Sequence, residues 1–176
     1  MPPAHVTLRP ALASDLAAIF DIYNHYVIHS TCTFATEPVP PDLWPAWWEE
    51  HQGRTPAIVA VDGSGVVGWG SLSRWNTRCA YRFSVEDSVY VRAGRHGEGI
   101  GRALLDGLVS AARQHRHRSI IAQIADHQAP SESLHQRFGF RRVGCLECVG
   151  HKFDRWIDVV IWQLRLRYDD DNRPES

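Results

Sequence analysis

The run His96-Gly97-Glu98-Gly99-Ile100-Gly101 joins three alternating glycines to the opening of an apolar-periodic helix, a pattern suited to holding an anion. Glycine lets backbone approach a ligand without interference from Cβ, and the first amides of a helix have no intrahelical acceptor. The helix dipole adds favourable charge there, so a pyrophosphate is a natural guest, with Arg95 and Arg102 as nearby screening cations. Two familiar phosphate motifs do not fit. A P-loop needs GxxxxGK followed by Ser or Thr, which the chain lacks. A dinucleotide fingerprint reads GxGxxG after the first strand, whereas this loop reads GxGxG and lies past the midpoint of the chain.

Residues able to move protons flank the loop. Glu86 sits on the strand leading into it, where a carboxylate is either a base or an ordinary solvent-facing strand residue. His135, on a later short helical segment, has a ring that exchanges protons near neutral pH, or else serves only for hydrogen bonding and packing. Cys145-Leu146-Glu147-Cys148 has CxxC spacing, but no second pair accompanies it and His151 supplies only a third ligand. No metal is expected, and the two thiols read as small side chains in or near a late strand. His115 and His117 alternate with Arg113, Arg116 and Arg118 near a helix end, which reads as a solvated cationic face.

The elements that must carry these groups follow from periodicity. Ser14 is the expected N-cap of a first helix with Leu16, Ile19, Phe20, Tyr23, Tyr26 and Val27 on one face. Residues 31–41 read as a loop, and Leu43, Trp44, Trp47 and Trp48 as a short helix whose aromatic stripe belongs to the core or to a subunit contact. Residues 57–61 and 66–73 flank Asp62-Gly63-Ser64-Gly65 as a hairpin, and residues 83–91 form a further strand. The glycine loop then opens a helix carrying Leu104, Leu105, Leu108, Val109 and Ala112. A strand at 119–124, a short helix at 131–138 stopped by Gly139, and a strand at 157–164 complete the order. The expected fold is α/β, a mixed sheet with helices on both faces, in a single domain over 1–168 with a frayed tail at 169–176.

Composition narrows the function. The chain has 176 residues, and with 19 basic against 20 acidic side chains its formal charge is −1. There is no global field to recruit nucleic acid or an anionic membrane, so an anionic ligand must be held locally. No stretch approaches the ~18 continuous apolar residues of a membrane span, and residues 1–5 lack the basic-then-apolar pattern of a secretory signal. The cytoplasm is the expected compartment, with Cys32, Cys79, Cys145 and Cys148 as reduced thiols.

The run Val89-Tyr90-Val91-Arg92 followed by Gly97-Glu98-Gly99-Ile100-Gly101-Arg102-Ala103 resembles the acetyl-CoA motif of the GNAT superfamily of N-acetyltransferases. That motif begins with Gln or Arg, and here His96 takes the position. Further segments resemble the phosphinothricin and methionine sulfoximine N-acetyltransferases within it: Tyr23-Asn24-His25-Tyr26, Thr33-Phe34, Val85-Glu86, Ser88 to Val91, Leu134-His135, and Gly150-His151-Lys152-Phe153 with Trp156 and Asp158.

The resemblance implies a GNAT-like acyl-CoA N-acyltransferase fold, with a mostly antiparallel central sheet, and acetyl-CoA as cosubstrate. It implies cofactor contacts at Val89, Tyr90, Val91, His96, Gly97, Gly99, Ile100, Gly101, Arg102 and Gln128, the last standing where the family usually has asparagine. Val89 and Val91 are expected to lend backbone groups where the central strands splay, one amide polarising the thioester carbonyl. Glu86 is the implied base and His135 the implied acid, for direct attack through a tetrahedral intermediate. The acceptor, a small amine of the phosphinothricin or methionine sulfoximine type, is expected at Phe34, Trp75, Arg78, Tyr81 and Lys152. A homodimer is expected. The competing readings are an acceptor that is a protein N-terminus or a polyamine, and a non-catalytic CoA-binding module.

Overall fold

The computed structural model describes residues 6–168, so the tail expected at 169–176 lies outside the described residues. In chain order the elements are β1 (Thr7–Pro10), α1 (Leu16–His29), α2 (Trp44–Glu50), β2 (Ala57–Asp62), β3 (Gly65–Arg74), β4 (Ser84–Val91), α3 (Ile100–Gln114), β5 (Ser119–Ala125), α4 (Ala129–Arg137), β6 (Arg141–Lys152) and β7 (Arg155–Arg165). One seven-stranded sheet runs β1-β2-β3-β4-β5-β7-β6. Its neighbours are antiparallel except β4 and β5, which are parallel. That is the mixed, mostly antiparallel sheet expected, and the parallel pair is the one bridged by the glycine loop and α3.

Helices cover both faces. On one, Ile19, Phe20 and Ile22 of α1 pack with Val59 of β2 and Trp69 of β3, and Tyr23, Tyr26, Trp44, Trp47 and Tyr90 close around them. The tryptophans of α2 are half-buried against this core, with Trp44 stacked on Phe20 at 5.1 Å between ring centroids, while Leu43 is exposed. On the other face, Leu104, Leu105 and Leu108 of α3 are fully buried against the sheet. Burying such side chains contributes roughly 1.5–3 kcal/mol each, which fixes α3, and hence the loop at its start, against β4.

Three elements depart from the sequence expectation. Ser14 does not cap α1. The backbone is extended at Leu12, a single 3-10 turn spans Ala13–Asp15, and the Asp15 carboxylate accepts the Leu12 N–H at 2.8 Å. Arg9 donates to both oxygens of Asp15, at 2.6 and 2.8 Å, and this bonding holds the carboxyl below its ordinary range. The strands β1 and β6 were also not anticipated. β1 has four residues, and β6 is a long edge strand exposed along most of its length, so it lacks the alternation that marks a half-buried strand.

Candidate active site

Pairing between β4 and β5 covers only Ser84, Val85 and Glu86 against Ser119, Ile120 and Ile121. Both strands continue, to Val91 and Ala125, and the fork between them opens into a cleft of about 910 Å³. Alternation along β4 sends Glu86, Ser88 and Tyr90 toward the α1 side, and Asp87, Val89 and Val91 toward α3 and α4. The cleft wall is completed by Cys32, Thr33 and Phe34, by the glycine loop, and by α4.

At the mouth of the fork, Gly97 and Gly99 both have φ of +83°, a region side chains rarely adopt, and a Cβ added at either would meet nothing within 4 Å. The first intrahelical bond of α3 runs from the Ala103 N–H to the Gly99 carbonyl, at 3.0 Å. The amides of Ile100, Gly101 and Arg102 therefore have no partner within the helix, and these three residues line the cleft. This is a cradle for an anion, with Arg102 beside it.

Arg95 corrects the sequence reading. It is tied at 2.8 Å to both Asp62 and Glu98, so it braces the loop onto the β2–β3 hairpin and is not a free screening cation. Hydrogen bonds from Ser64 and Arg95 hold the Asp62 carboxyl down at about 2. Arg137, in the last turn of α4, also lines the cleft and was not anticipated; a cation near a helix end carries little signal of its own in sequence.

His96 is held from α1. The Tyr26 hydroxyl donates its proton to the Val91 carbonyl, so the contact between Tyr26 and His96 Nε2, at 2.8 Å, has the imidazole as donor. Burial raises the Tyr26 pKa to about 12, which keeps the phenol protonated for this task. The structure thereby links α1, the end of β4 and the glycine loop through one side chain.

Glu86 sits at the apex of the fork. Burial raises its pKa, opposed by a hydrogen bond from Gln123 Nε2 at 3.0 Å and reinforced by the charge of Asp87. His135 faces the cleft through α4 with both ring nitrogens engaged: Nδ1 donates to the Ser131 carbonyl at 2.8 Å, and Nε2 lies 3.0 Å from Asp87 Oδ2. Burial pulls the His135 pKa down, but the bond and charge of Asp87, with the Ser131 carbonyl, outweigh it, and the net shift is upward. The pair holds one proton between imidazole and carboxylate in a nearly fully buried position. Asp87 carried no signal beyond its place next to Glu86.

The other expected residues divide. Phe34 and Gln128 line the cleft, and Gln128 Nε2 reaches Thr31 Oγ1 at 3.4 Å. Trp75, Arg78 and Tyr81 lie on the β3–β4 connection, where Arg78 and Tyr81 are exposed, and none of the three forms part of the cleft wall. Lys152 is buried and donates to the carbonyls of Ser30 (2.7 Å) and Thr33 (2.8 Å), clamping the segment that carries Phe34. Among the described residues no group of three or more His, Cys, Asp or Glu gathers as a metal site.

The forked parallel pair with a glycine-opened helix at its mouth is the arrangement that the resemblance to the GNAT acetyltransferases implied, and comparison with known proteins agrees. Residues 17–140 match the acetyltransferase (GNAT) family, and the chain belongs to that family. It is 36% identical over 162 residues to the L-methionine sulfoximine/L-methionine sulfone acetyltransferase of Salmonella typhimurium, covering 92% of this chain and 95% of that protein. It is also 36% identical to the phosphinothricin N-acetyltransferase of Streptomyces viridochromogenes, covering 96% and 92%. The crystal structure of a phosphinothricin acetyltransferase from Sinorhizobium meliloti in complex with acetyl-CoA superposes with a TM-score of 0.90 at 34% identity, covering 97% of this chain and 93% of that one.

Proposed function

We propose that this enzyme transfers the acetyl group of acetyl-CoA to the α-amine of a small amino-acid-like acceptor of the phosphinothricin or methionine sulfoximine type. The observation that carries the reading is the fork itself: one cleft runs from unpaired helix amides at its mouth to a half-buried carboxylate, Glu86, at its apex. The mouth suits the pyrophosphate of acetyl-CoA, held by the amides of Ile100, Gly101 and Arg102. The strand edges carrying Val89 and Val91 suit an extended arm with amides of its own. Names and sequences of the relatives support the acceptor class.

In this reading the acceptor approaches from the Glu86 end. Glu86 accepts the proton the amine must lose before it attacks the thioester. A backbone N–H of β4 stabilises the charge that develops on the carbonyl oxygen. His135, whose protonated form Asp87 favours, is the acid we assign to the departing thiolate, its Nε2 proton leaving the Asp87 contact to reach it. Phe34 walls the acceptor; Trp75, Arg78 and Tyr81 lie outside the cleft wall, on the connection leading into β4, and serve an acceptor that extends beyond the cleft, with Arg78 as a carboxylate partner. The exposed apolar side chains of β6 and β7, among them Val149 and Trp156, are the face we assign to a homodimer, which light scattering tests. No helix among the described residues is long and apolar enough to cross a membrane.

Free-thiol release from acetyl-CoA tests the activity, screened against phosphinothricin, methionine sulfoximine, methionine sulfone, ordinary amino acids, a polyamine and short peptides. Turnover confined to the first three is the expected result. Turnover only on peptides or the polyamine overturns the acceptor class and keeps the chemistry.

A further inference from the structure

Within Ile120-Ile121-Ala122-Gln123-Ile124-Ala125, Gln123 is the one polar side chain, on a strand whose other residues are buried. A glutamine there interrupts an apolar run, and its side chain is exposed at the cleft. Pairing of β4 with β5 ends at Glu86 and Ile121, so Gln123 projects two residues past the last paired position, on the same face as Ile121. Its Nε2 spans the opening fork to reach Glu86 Oε2 at 3.0 Å. A carboxylate only accepts, so the amide orientation is fixed, with the NH₂ toward Glu86 and Oε1 left as a spare acceptor.

We propose that Gln123 is the positioning residue for Glu86: it fixes the carboxylate at the apex of the fork and sets the pH range in which that carboxylate takes a proton. The inference rests on the reading of Glu86 as the base. Three effects act on the group. Burial favours the neutral acid, the charge of Asp87 favours it further, and the Gln123 hydrogen bond favours the carboxylate. The ionisable groups facing this part of the cleft are Tyr26 from α1, Cys32 from the following loop, Tyr90 on β4 and, across the sheet, Asp87 with His135 of α4. Arg95, His96, Arg102 and Arg137 lie toward the phosphate end. Gln123 is the hydrogen-bond donor to Glu86 that the structure supplies, and being an amide it does so at every pH. One oxygen of Glu86 is thus occupied, and the other remains for the amine or a water between them.

The test removes the donor and keeps the size, with Gln123→Leu. The Glu86 carboxyl is titrated by ¹³C NMR in glutamate-labelled protein without substrates, its signal assigned by its disappearance in Glu86→Gln. The expected result is an upward shift of about one pH unit, the scale of a single charge-assisted hydrogen bond. The acid limb of kcat/KM should move up by the same amount, while the KM for acetyl-CoA and the melting temperature stay at wild-type values because Gln123 is exposed. Gln123→Glu, which sets a second carboxylate against the first, should shift the titration further in the same direction. A Glu86 titration unchanged in Gln123→Leu overturns the proposal. The titration needs no acceptor, so it reads the pairing even if the acceptor reading of the enzyme fails.

Discussion

The ring of Phe34 lies directly over Gly150 of β6, so close that a Cβ added to Gly150 would clash with Phe34 Cε2. Between Leu146 and Gly150 the β6–β7 register shifts, and Cys148, with φ of +50°, donates its N–H to Asp158 at 2.8 Å. That irregularity brings a residue without a side chain under the ring. Lys152, two residues on, clamps the Phe34 segment from the same strand.

Gly150→Ala must therefore displace Phe34, since a real Cβ does not approach an aromatic carbon so closely. A displaced wall raises the KM for the acceptor by roughly tenfold, equivalent to about 1.4 kcal/mol, and leaves the KM for acetyl-CoA in place. In a Phe34→Ala background the same substitution should have almost no effect, because the clash is gone. Steady-state kinetics on the four proteins of that cycle read the coupling; additive effects would show that the two residues act separately.

How far this was legible in the sequence depends on the kind of residue. Gly97, Gly99 and Gly101 announced a backbone site because their spacing is local, and α3 followed from its leucines. The Phe34–Gly150 contact joins positions more than a hundred residues apart, and no local pattern encodes it. Lys152 was expected at the acceptor because it lies in a segment that resembles the family, yet its ammonium is occupied by two carbonyls. Arg95 misled in the same way, since its partner Asp62 lies on the β2–β3 hairpin. Charged residues state what they can bind, and only the fold states what they do bind.

Glu86→Gln removes the base and keeps the shape. The expected loss in kcat is about 10²- to 10⁴-fold. The wild-type kcat/KM should fall toward acid pH with a midpoint above the ordinary carboxylate range, because burial raises the Glu86 pKa and only the ionised form accepts a proton. The variant should lack that acid limb. A variant that retains both turnover and the limb would move the base elsewhere.

Asp87→Asn tests the buried pair. Removing one partner of a buried, hydrogen-bonded ion pair costs about 3–5 kcal/mol, and the side chains here are 2% and 5% exposed, so solvent screens little of it. The raised pKa of His135 contributes stability that is complete below the unfolded value of about 6.5 and lost as pH rises through the folded value. His51 and His117 have pKa values lowered by burial and act oppositely: their stability is present above about 6.5 and lost as pH falls through their folded values. Urea unfolding across pH should show wild-type stability declining on both sides. In Asp87→Asn the alkaline decline should disappear while the acid one persists.

The two arginines of the phosphate end should separate kinetically and by salt. Arg102 is exposed at the cradle, so Arg102→Ala should raise the KM for acetyl-CoA severalfold, consistent with an exposed cation near a bound phosphate. It should also flatten the dependence of that KM on ionic strength, because a screened attraction has been removed. Arg95 acts through Asp62 and Glu98, holding the loop to the hairpin. Arg95→Ala should therefore raise the same KM by loosening the cradle, and should speed amide hydrogen exchange in residues 94–99, which Arg102→Ala should leave unchanged. Equal exchange in the two variants would show that Arg95 contributes charge alone and that the loop is held by its glycine geometry and the Tyr26–His96 contact.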